Sequence, residues 1–419
     1  MTDTNRKPIP YTEAYDQVLK SGIDFAKTKL SNNNEIVSIE DGRDRILASD
    51  IKSKETLPKL PLSERDGYTF AAPAGDTRFP VTLNLKDEIR AGIVCGDKCT
   101  ENEAFRIFTG APLPEGSNTV LMQEFAEVKT CEDGKKQLII ANPYKEGQFV
   151  RPIGCDCKEG DVLIKKGSKI RSEHIGLLAS LGITYISVKK KPGVAFLVTG
   201  DELVCHTSST VPAGKIRNSN IKLIENLIKA GGGNPVYLGT VSDDRQVLLN
   251  TMKGGKGCDL LITVGGASVG DYDFVLSCAE ELDYDMRFSR IALKPGKPTL
   301  FGVSKETLFI GLPGHPVSAA VIFNLLARPL MAILEGKTGI EHKTSTAFLD
   351  TDETKEETRQ YFLPGTVEEI DGKPVATPSP YRHSSSLQSL TESTVLISLP
   401  TGKTHIEKGS KVTVFHIWT

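Results

Sequence analysis

Apolar side chains at Tyr15, Val18, Leu19, Ile23, Phe25 and Ala26 return at close to the helical period, so the spacing predicts a helix over 11–29. The texture then changes. From Ile51 to Val150 the chain consists of short β-branched runs, among them 107–109, 119–122 and 138–140, broken by Gly, Pro and Asn turns, which predicts an all-β block. Residues 150–188 are mixed: an apolar pair Leu163-Ile164, a helix over 172–181 with Gly182 placed to cap it, and a strand over 185–188. From Pro192 onward apolar runs and amphipathic stretches alternate. Strands are expected at 194–198, 236–241 and 260–264, and helices at 220–230 and 316–334. A further helix should start at Ser242-Asp243-Asp244, where an N-cap and first-turn carboxylates coincide. Such alternation implies a parallel sheet with helices on both faces. Ligands of these sheets bind at the carboxyl ends of the strands. The tail from Glu341 returns to β texture, with 395–400 and 411–415 suggesting a small barrel or sandwich.

Composition narrows the function classes. At 419 residues, two to four domains are expected. A net charge of −2 gives no bulk attraction for nucleic acid or an anionic membrane, so any anion must be held by a local pocket. No stretch of about 18 apolar residues is present, so no membrane span is expected. Residues 1–7 lack the apolar core of a secretory signal, and a cytoplasmic location follows by default. The eight cysteines are scattered, and no histidine stands at ligand spacing beside Cys95/Cys99 or Cys155/Cys157, so reduced, non-ligating thiols are expected.

Four loops, all read as leaving strands of the parallel sheet, carry candidate chemistry. Thr199-Gly200-Asp201-Glu202 offers hard oxygen ligands suited to Mg²⁺ beside a phosphate, although an acidic turn has the same composition. The glycines of Gly265-Gly266-Ala267-Ser268-Val269-Gly270-Asp271-Tyr272-Asp273 would let backbone N–H groups approach phosphate oxygens; a tight turn is the plainer reading. Lys294-Pro295-Gly296-Lys297-Pro298 presents two cations on a stiffened loop. In Gly311-Leu312-Pro313-Gly314-His315-Pro316-Val317-Ser318, Pro316 fits a first helical turn, and the N–H groups of Val317 and Ser318 would face an anion. His315 is more often a packed loop residue than a catalytic one. Together these loops fit metal-assisted chemistry on a nucleotide or phosphorylated substrate. Spacing alone does not name that substrate.

Taken in order, the motifs resemble the molybdopterin molybdenumtransferase family of the bacterial MoeA type, related to the C-terminal part of gephyrin and of plant fusion proteins. The series runs Ser63-Glu64-Arg65-Asp66-Gly67-Tyr68, Thr109-Gly110-Ala111-Pro112-Leu113-Pro114, Gln123-Glu124 and Val150-Arg151-Pro152-Ile153-Gly154-Cys155-Asp156. TGDEL from Thr199, IRNSN from Ile216, GGxSVGDxD from Gly265, KPGKP from Lys294 and GLPGxPVSA from Gly311 follow. Arg65, Thr69, His315 and the stretch Arg382-His383-Ser384-Ser385 depart from the usual pattern. The β insertion and the tail argue against the related short adenylyltransferase. The joint presence of Asp201, Asp273, Lys294 and Lys297 argues against a non-enzymatic binding module.

The resemblance implies a multidomain α/β fold. It has a mixed linker domain (1–51 plus 151–189), a β-rich insertion domain (52–150), a parallel-sheet molybdopterin-binding domain (190–338) and a C-terminal β-barrel (339–419). It implies insertion of molybdate into molybdopterin adenylate with release of AMP, dependent on Mg²⁺, in a cytoplasmic homodimer. By matched position, Asp201, Glu202 and Asp273 would hold metal or the phosphate region. Asp66 and Glu124 would complete the site from the other subunit, and Lys294 and Lys297, with Arg359 and Ser384, would bind molybdate. Asp66, Asp201, Asp273, Lys294 and Lys297 are the expected catalytic set. Thr109, Asp156, Thr199, Gly200, Asp243, Asp244, Gly265, Gly266, Ser268, Gly270, Pro313, Pro316 and Ser318 are further expected substrate contacts. Other cofactor-assembly proteins and apo-molybdoenzymes are the implied further partners; nucleic acid and membrane are not.

Overall fold

The structure is a computed structural model that describes residues 7–30, 33–72, 78–266 and 274–417. The chain divides into two compact units, residues 1–48, 167–172 and 185–419 in one, and 49–166 and 173–184 in the other.

In the first unit, helix α1 (Tyr11–Lys29) coincides with the predicted span and buries Tyr11, Ala14, Val18 and Phe25. A six-stranded sheet follows from β1 (Gly193–Thr199), β2 (Asn234–Val241), β3 (Leu260–Val264), β4 (Asp285–Phe288), β5 (Leu300–Val303) and β6 (Leu308–Leu312), in the order β2-β1-β3-β6-β5-β4. The pairs β2–β1, β1–β3 and β3–β6 are parallel. The sheet is not parallel throughout, as the alternation suggested: β5 and β4 join antiparallel because the links from β4 to β5 and from β5 to β6 carry no crossover helix.

Successive residues of β1 and β3 point into opposite cores, which explains their unbroken apolar runs. Val194, Phe196, Val198, Leu260, Ile262 and Val264 pack with α1, with α2 (Asn220–Ala230) and with the 316–334 helix. Ala195, Leu197 and Leu261 pack with Leu248, Leu249 and Met252 of α3 (Arg245–Lys253) and with Val275 and Cys278 of α4 (Val275–Glu281).

The 316–334 helix is long and apolar enough by mean composition to cross a membrane, but Asn324 and Arg328 interrupt its apolar run and nearly all of it lies buried in this core. It begins as α5 (Pro316–Ile322), widens to a π-helical turn at Phe323–Ala327 and continues as α6 (Arg328–Leu334). Pro329 explains the widening: it has no N–H for the Leu325 carbonyl, and its ring crowds that oxygen. His342 takes the carbonyl instead, Nε2 to Leu325 O at 3.1 Å. A carbonyl only accepts, so Nε2 carries the proton.

The tail forms β7 (Thr344–Leu349), β8 (Gln360–Ile370), β9 (Lys373–Pro378), β10 (Val395–Leu399) and β11 (Lys411–Phe415). The order β8-β9-β7-β11-β10 closes through the β8–β10 pairing, so the tail is a five-stranded barrel rather than a sandwich. It is filled by Leu349, Tyr361, Ile397, Leu399, Val412 and Val414.

The second unit contains a six-stranded sheet in the order 119–122, 67–70, 103–107, 81–89, 136–140, 127–130. Tyr68, Phe70, Leu83 and Leu138 pack in one cluster, and Ile89, Phe105, Ile107 and Val120 in another. Gly182, at φ +66°, ends the Ser172–Ser180 helix as its position suggested. All eight cysteines are unbridged.

Burial first, then the nearby Arg328 charge, lowers the pKa of His342, against the opposing Leu325 hydrogen bond. The unfolded chain therefore binds this proton more readily than the folded one. His342 contributes stability above the ordinary histidine pKa of about 6.5, and that stability is lost as pH falls through the lowered value. We expect the melting temperature of the wild type to fall with pH from about 6.5 downward, and His342→Gln to flatten that segment. Identical slopes in both proteins would remove His342 from the acid response.

Candidate functional site

Because β1, β3 and β6 are parallel and in register, with Val198 opposite Val264 and Val264 opposite Leu312, their carboxyl ends form one rim. The Lys294–Pro298 loop reaches the same rim differently. It does not leave a strand of this sheet. Leu293 and Lys294 pair with Gln360 and Tyr361 of barrel strand β8, and the loop then enters antiparallel β5, whose Leu300 lies opposite Gly311.

A cavity of about 690 Å³ opens at this rim, with Thr199, Gly200, Glu202, Asp243, Gly265 and Gly266 among its lining residues. The buried Thr199 hydroxyl donates to Asp243 Oδ1 at 2.8 Å, and the Asp243 N–H donates to Asp201 Oδ1 at 3.2 Å. The Glu202 carboxylate folds over Gly200, where an added Cβ would stand 2.5 Å from Oε2. Gly265 has φ +96°, and a Cβ there would meet Thr199 O at 2.5 Å. Its N–H is already given to Leu312 O at 3.0 Å, so Gly265 supplies space rather than a phosphate donor.

Adjacent carboxylates part company at 243–244. Asp243 faces the cavity, whereas Asp244 Oδ1 accepts from Val247 N at 2.9 Å and caps α3. Pro313, His315 and Pro316 line the cavity. Ser318 is buried, and the Val317 N–H expected to face an anion donates to Ser384 O at 3.0 Å.

All five residues of the IRNSN motif, Ile216 to Asn220, line the cavity although none was in the expected set. Asn220 Nδ2 donates to Gly314 O at 2.7 Å and ties α2 to the loop opposite, while its buried Oδ1 has no hydrogen-bond partner among the described residues. Their side-chain roles were not readable from spacing because the segment that presents them lies between β1 and α2, well beyond the loop that directly follows the strand.

A second cavity, about 570 Å³, lies on the barrel side, with Lys294, Tyr361, Arg382 and Ser384 in its lining. The Lys294 ammonium sits 5.1 Å from the Tyr361 ring centroid. Of the expected anion-binding group, Lys294 and Ser384 meet here. Lys297 lines neither cavity, and Arg359 is turned to Glu356 at 3.2 Å.

In the other unit, Asp66 Oδ1 accepts from Thr109 N at 2.7 Å and Thr109 Oγ1 at 2.8 Å. The Thr109 N–H, and then its hydroxyl, hold the Asp66 carboxyl below its usual range. Arg106 bridges Tyr68 OH at 2.8 Å and Gln123 Oε1 at 2.6 Å, and Glu124 is exposed on the next position. Asp156 is engaged by Arg151 Nη2 at 2.6 Å, which lowers its pKa. Ser268, Gly270 and Asp273 lie outside the described residues. Among the described residues no group of three or more His, Cys, Asp or Glu side chains is arranged to hold a metal.

Models of the MoeA N-terminal region (domain I and II), a probable molybdopterin binding domain and the MoeA C-terminal region (domain IV) match residues 9–182, 195–332 and 346–417. The molybdopterin molybdenumtransferase of Bacillus subtilis is 34% identical over 98% of this chain and 95% of its own length. The chain belongs to the molybdopterin molybdenumtransferase family. That of Haemophilus influenzae is 34% identical over 75% of this chain and 78% of its own. Two structures of the molybdopterin biosynthesis MoeA protein of Pyrococcus horikoshii match with TM-scores of 0.80 and 0.78, at 29% and 26% identity, over 99% and 98% of this chain and all of theirs. The chain is therefore an enzyme of molybdenum cofactor biosynthesis, and its multidomain fold with a C-terminal barrel matches MoeA structures.

The split at 243–244 is testable. Removing an N-cap carboxylate costs about 0.5–2 kcal/mol, so we expect Asp244→Ala to lower the urea midpoint while saturated turnover persists. Asp243→Ala should instead reduce turnover with a smaller change in the midpoint. The opposite pattern would reverse the two assignments.

Proposed function

We propose that this molybdenumtransferase inserts molybdate into molybdopterin adenylate and releases AMP in a Mg²⁺-dependent step. The observation that carries this reading is the meeting of two chemically different cavities at three shared segments. Pro298, Pro313–Pro316 and Ser385 face the larger cavity; Lys294, Val317 and Ser384 face the smaller. One has carboxylates, amides and close-packed glycines suited to a pterin nucleotide with its cation. The other has fixed positive charge suited to a tetrahedral dianion.

The donor set fits Mg²⁺. Asp243 and Asp201 are linked through a backbone hydrogen bond and Glu202 lies beside them. Mg²⁺ needs only one or two protein carboxylates when phosphate oxygens and waters fill the remaining positions. When bound, the ion would neutralise phosphate charge as AMP departs. Asp201, Glu202 and Asp273 would hold it. Thr199, through its hydrogen bond, orients Asp243 toward the phosphates. Asn220 Oδ1 is an acceptor for a ligand N–H. Lys294 and Ser384 would hold molybdate beside the dithiolene, where a charge-assisted hydrogen bond is worth about 1.5–3 kcal/mol.

The four-domain division, the cytoplasmic setting and a homodimer in which Asp66 and Glu124 act on the partner's rim belong to the same proposal. Thr109, which fixes the Asp66 carboxylate, supports a positioned rather than a mobile acid.

Purified protein given molybdopterin adenylate, Mg²⁺ and molybdate should release AMP and form cofactor able to activate an apo-molybdoenzyme. We expect Lys294→Ala and Asp273→Asn to keep the wild-type oligomeric state and lose at least 90% of cofactor formation, the tenfold that about 1.4 kcal/mol represents. Parental activity in both variants would reject these roles. Mixing Asp66→Asn with Asp273→Asn protein should restore part of the activity if subunits share a site, and no recovery would place the reaction within one chain.

A further inference from the structure

We propose that Arg382 is a ligand of the oxyanion substrate, supplying to the smaller cavity the guanidinium that Arg359 does not, with Glu353 holding it in place until the anion enters. The inference rests on the proposed molybdate chemistry and deepens it.

The smaller cavity contains two cations and two carboxylates, Lys294, Arg382, Asp352 and Glu353. The carboxylates are committed within the protein. Asp352 Oδ1 accepts from Lys408 N at 2.7 Å. Glu353 Oε1 accepts from Arg382 Nη2 at 2.8 Å and from the Thr351 hydroxyl at 3.2 Å. The cations are held more loosely. Lys294 lies over the Tyr361 ring, and Arg382, about half exposed, meets the nearly buried Glu353 through Nη2. A guanidinium has five N–H donors, so that one contact leaves a fork for an oxyanion. A half-exposed ion pair is weak, and a dianion can compete with a single carboxylate for the same group.

The supports of the two cations are independent. Lys294 is fixed by its strand pairing with Tyr361. Arg382 stands on a segment pinned by Val317 N donating to Ser384 O and by the His383 Nδ1 contact to Ser385 Oγ at 2.5 Å. Two positive groups of different geometry, an ammonium and a planar fork, thus line one volume of about 570 Å³.

The test measures molybdate uptake by equilibrium dialysis with labelled molybdate, and the molybdate and adenylate dependence of cofactor formation, in the full-length protein. We expect Arg382→Ala to raise the half-saturating molybdate concentration at least tenfold while the half-saturating adenylate concentration stays within twofold. Arg382→Lys should recover part of the loss, and Arg359→Ala should have the smaller effect. Glu353→Gln removes the same ion pair but keeps the cation, so molybdate should bind it at least as tightly as the parent. An unchanged Arg382→Ala, a larger loss in Arg359→Ala, or equal weakening in Glu353→Gln and Arg382→Ala would each overturn the assignment to Arg382 alone. A wild type that takes up no molybdate and forms no cofactor would overturn the parent reading with it.

Discussion

Strands β1, β3 and β6 have no face left for water. Helices cover both sides, so nearly every residue along them is apolar, Thr263 of β3 being a buried exception, and parallel pairing leaves their ends level. The polar groups of the rim are thereby gathered at the strand ends and the turns that follow them. Thr199, Gly265 and Pro313 follow one another across the rim because three buried strands stop at the same height. The close approach of Gly265 to Thr199 O is a result of that packing: a side chain there would wedge two strand exits apart. The cavity is thus as well defined as the core beneath it.

Two sorts of chemistry are set side by side by different means. The carboxylate and amide side is presented by the sheet itself and by the turn into α2. The cationic side comes from a loop laced to the barrel and from the 382–385 segment. The N-terminus of α5 joins them, since Val317 donates to Ser384 while His315 and Pro316 face the other way. An arrangement in which one wall serves two cavities suits a reaction with two anionic substrates, because each can be bound by its own charges without sharing a counterion.

Much of this was legible in the sequence. Helices over 11–29 and 220–230 and strand 411–415 were readable because their apolar positions are periodic, and strands 119–122 and 260–264 because they are short, mostly apolar runs between turn residues. The ordered loop motifs located the rim. What stayed hidden depended on long-range pairing. Nothing local marks β4 and β5 as antiparallel. Nor does KPGKP announce that Lys294 belongs to a barrel strand whose partner lies more than sixty residues on. The separation of Asp243 from Asp244 follows from which carboxylate the first turn of α3 claims, a choice that helix register makes and composition does not. Arg359 and Arg382 are similarly indistinguishable as charges. Each pairs with a glutamate, and only the fold tells them apart by placing Arg382, not Arg359, in the lining of the smaller cavity. The π-helical turn was foreshadowed by Pro329, but its partner His342 comes from beyond the end of the helix.

The closed ring of β7 to β11 has no free margin, so it behaves as a stiff hoop. Lys294 is clipped to that hoop by its neighbour Leu293 and by Tyr361, not to the sheet whose cavity it adjoins. The spacing between the ammonium group and the carboxylate-lined rim is consequently a mechanical tolerance that depends on how the hoop is seated on α1, where Tyr11 and Phe362 meet with ring centroids 5.0 Å apart. A change in that seating, made from the α1 side at Tyr11, would shift the Lys294 charge relative to the rim without altering a single residue that lines the larger cavity.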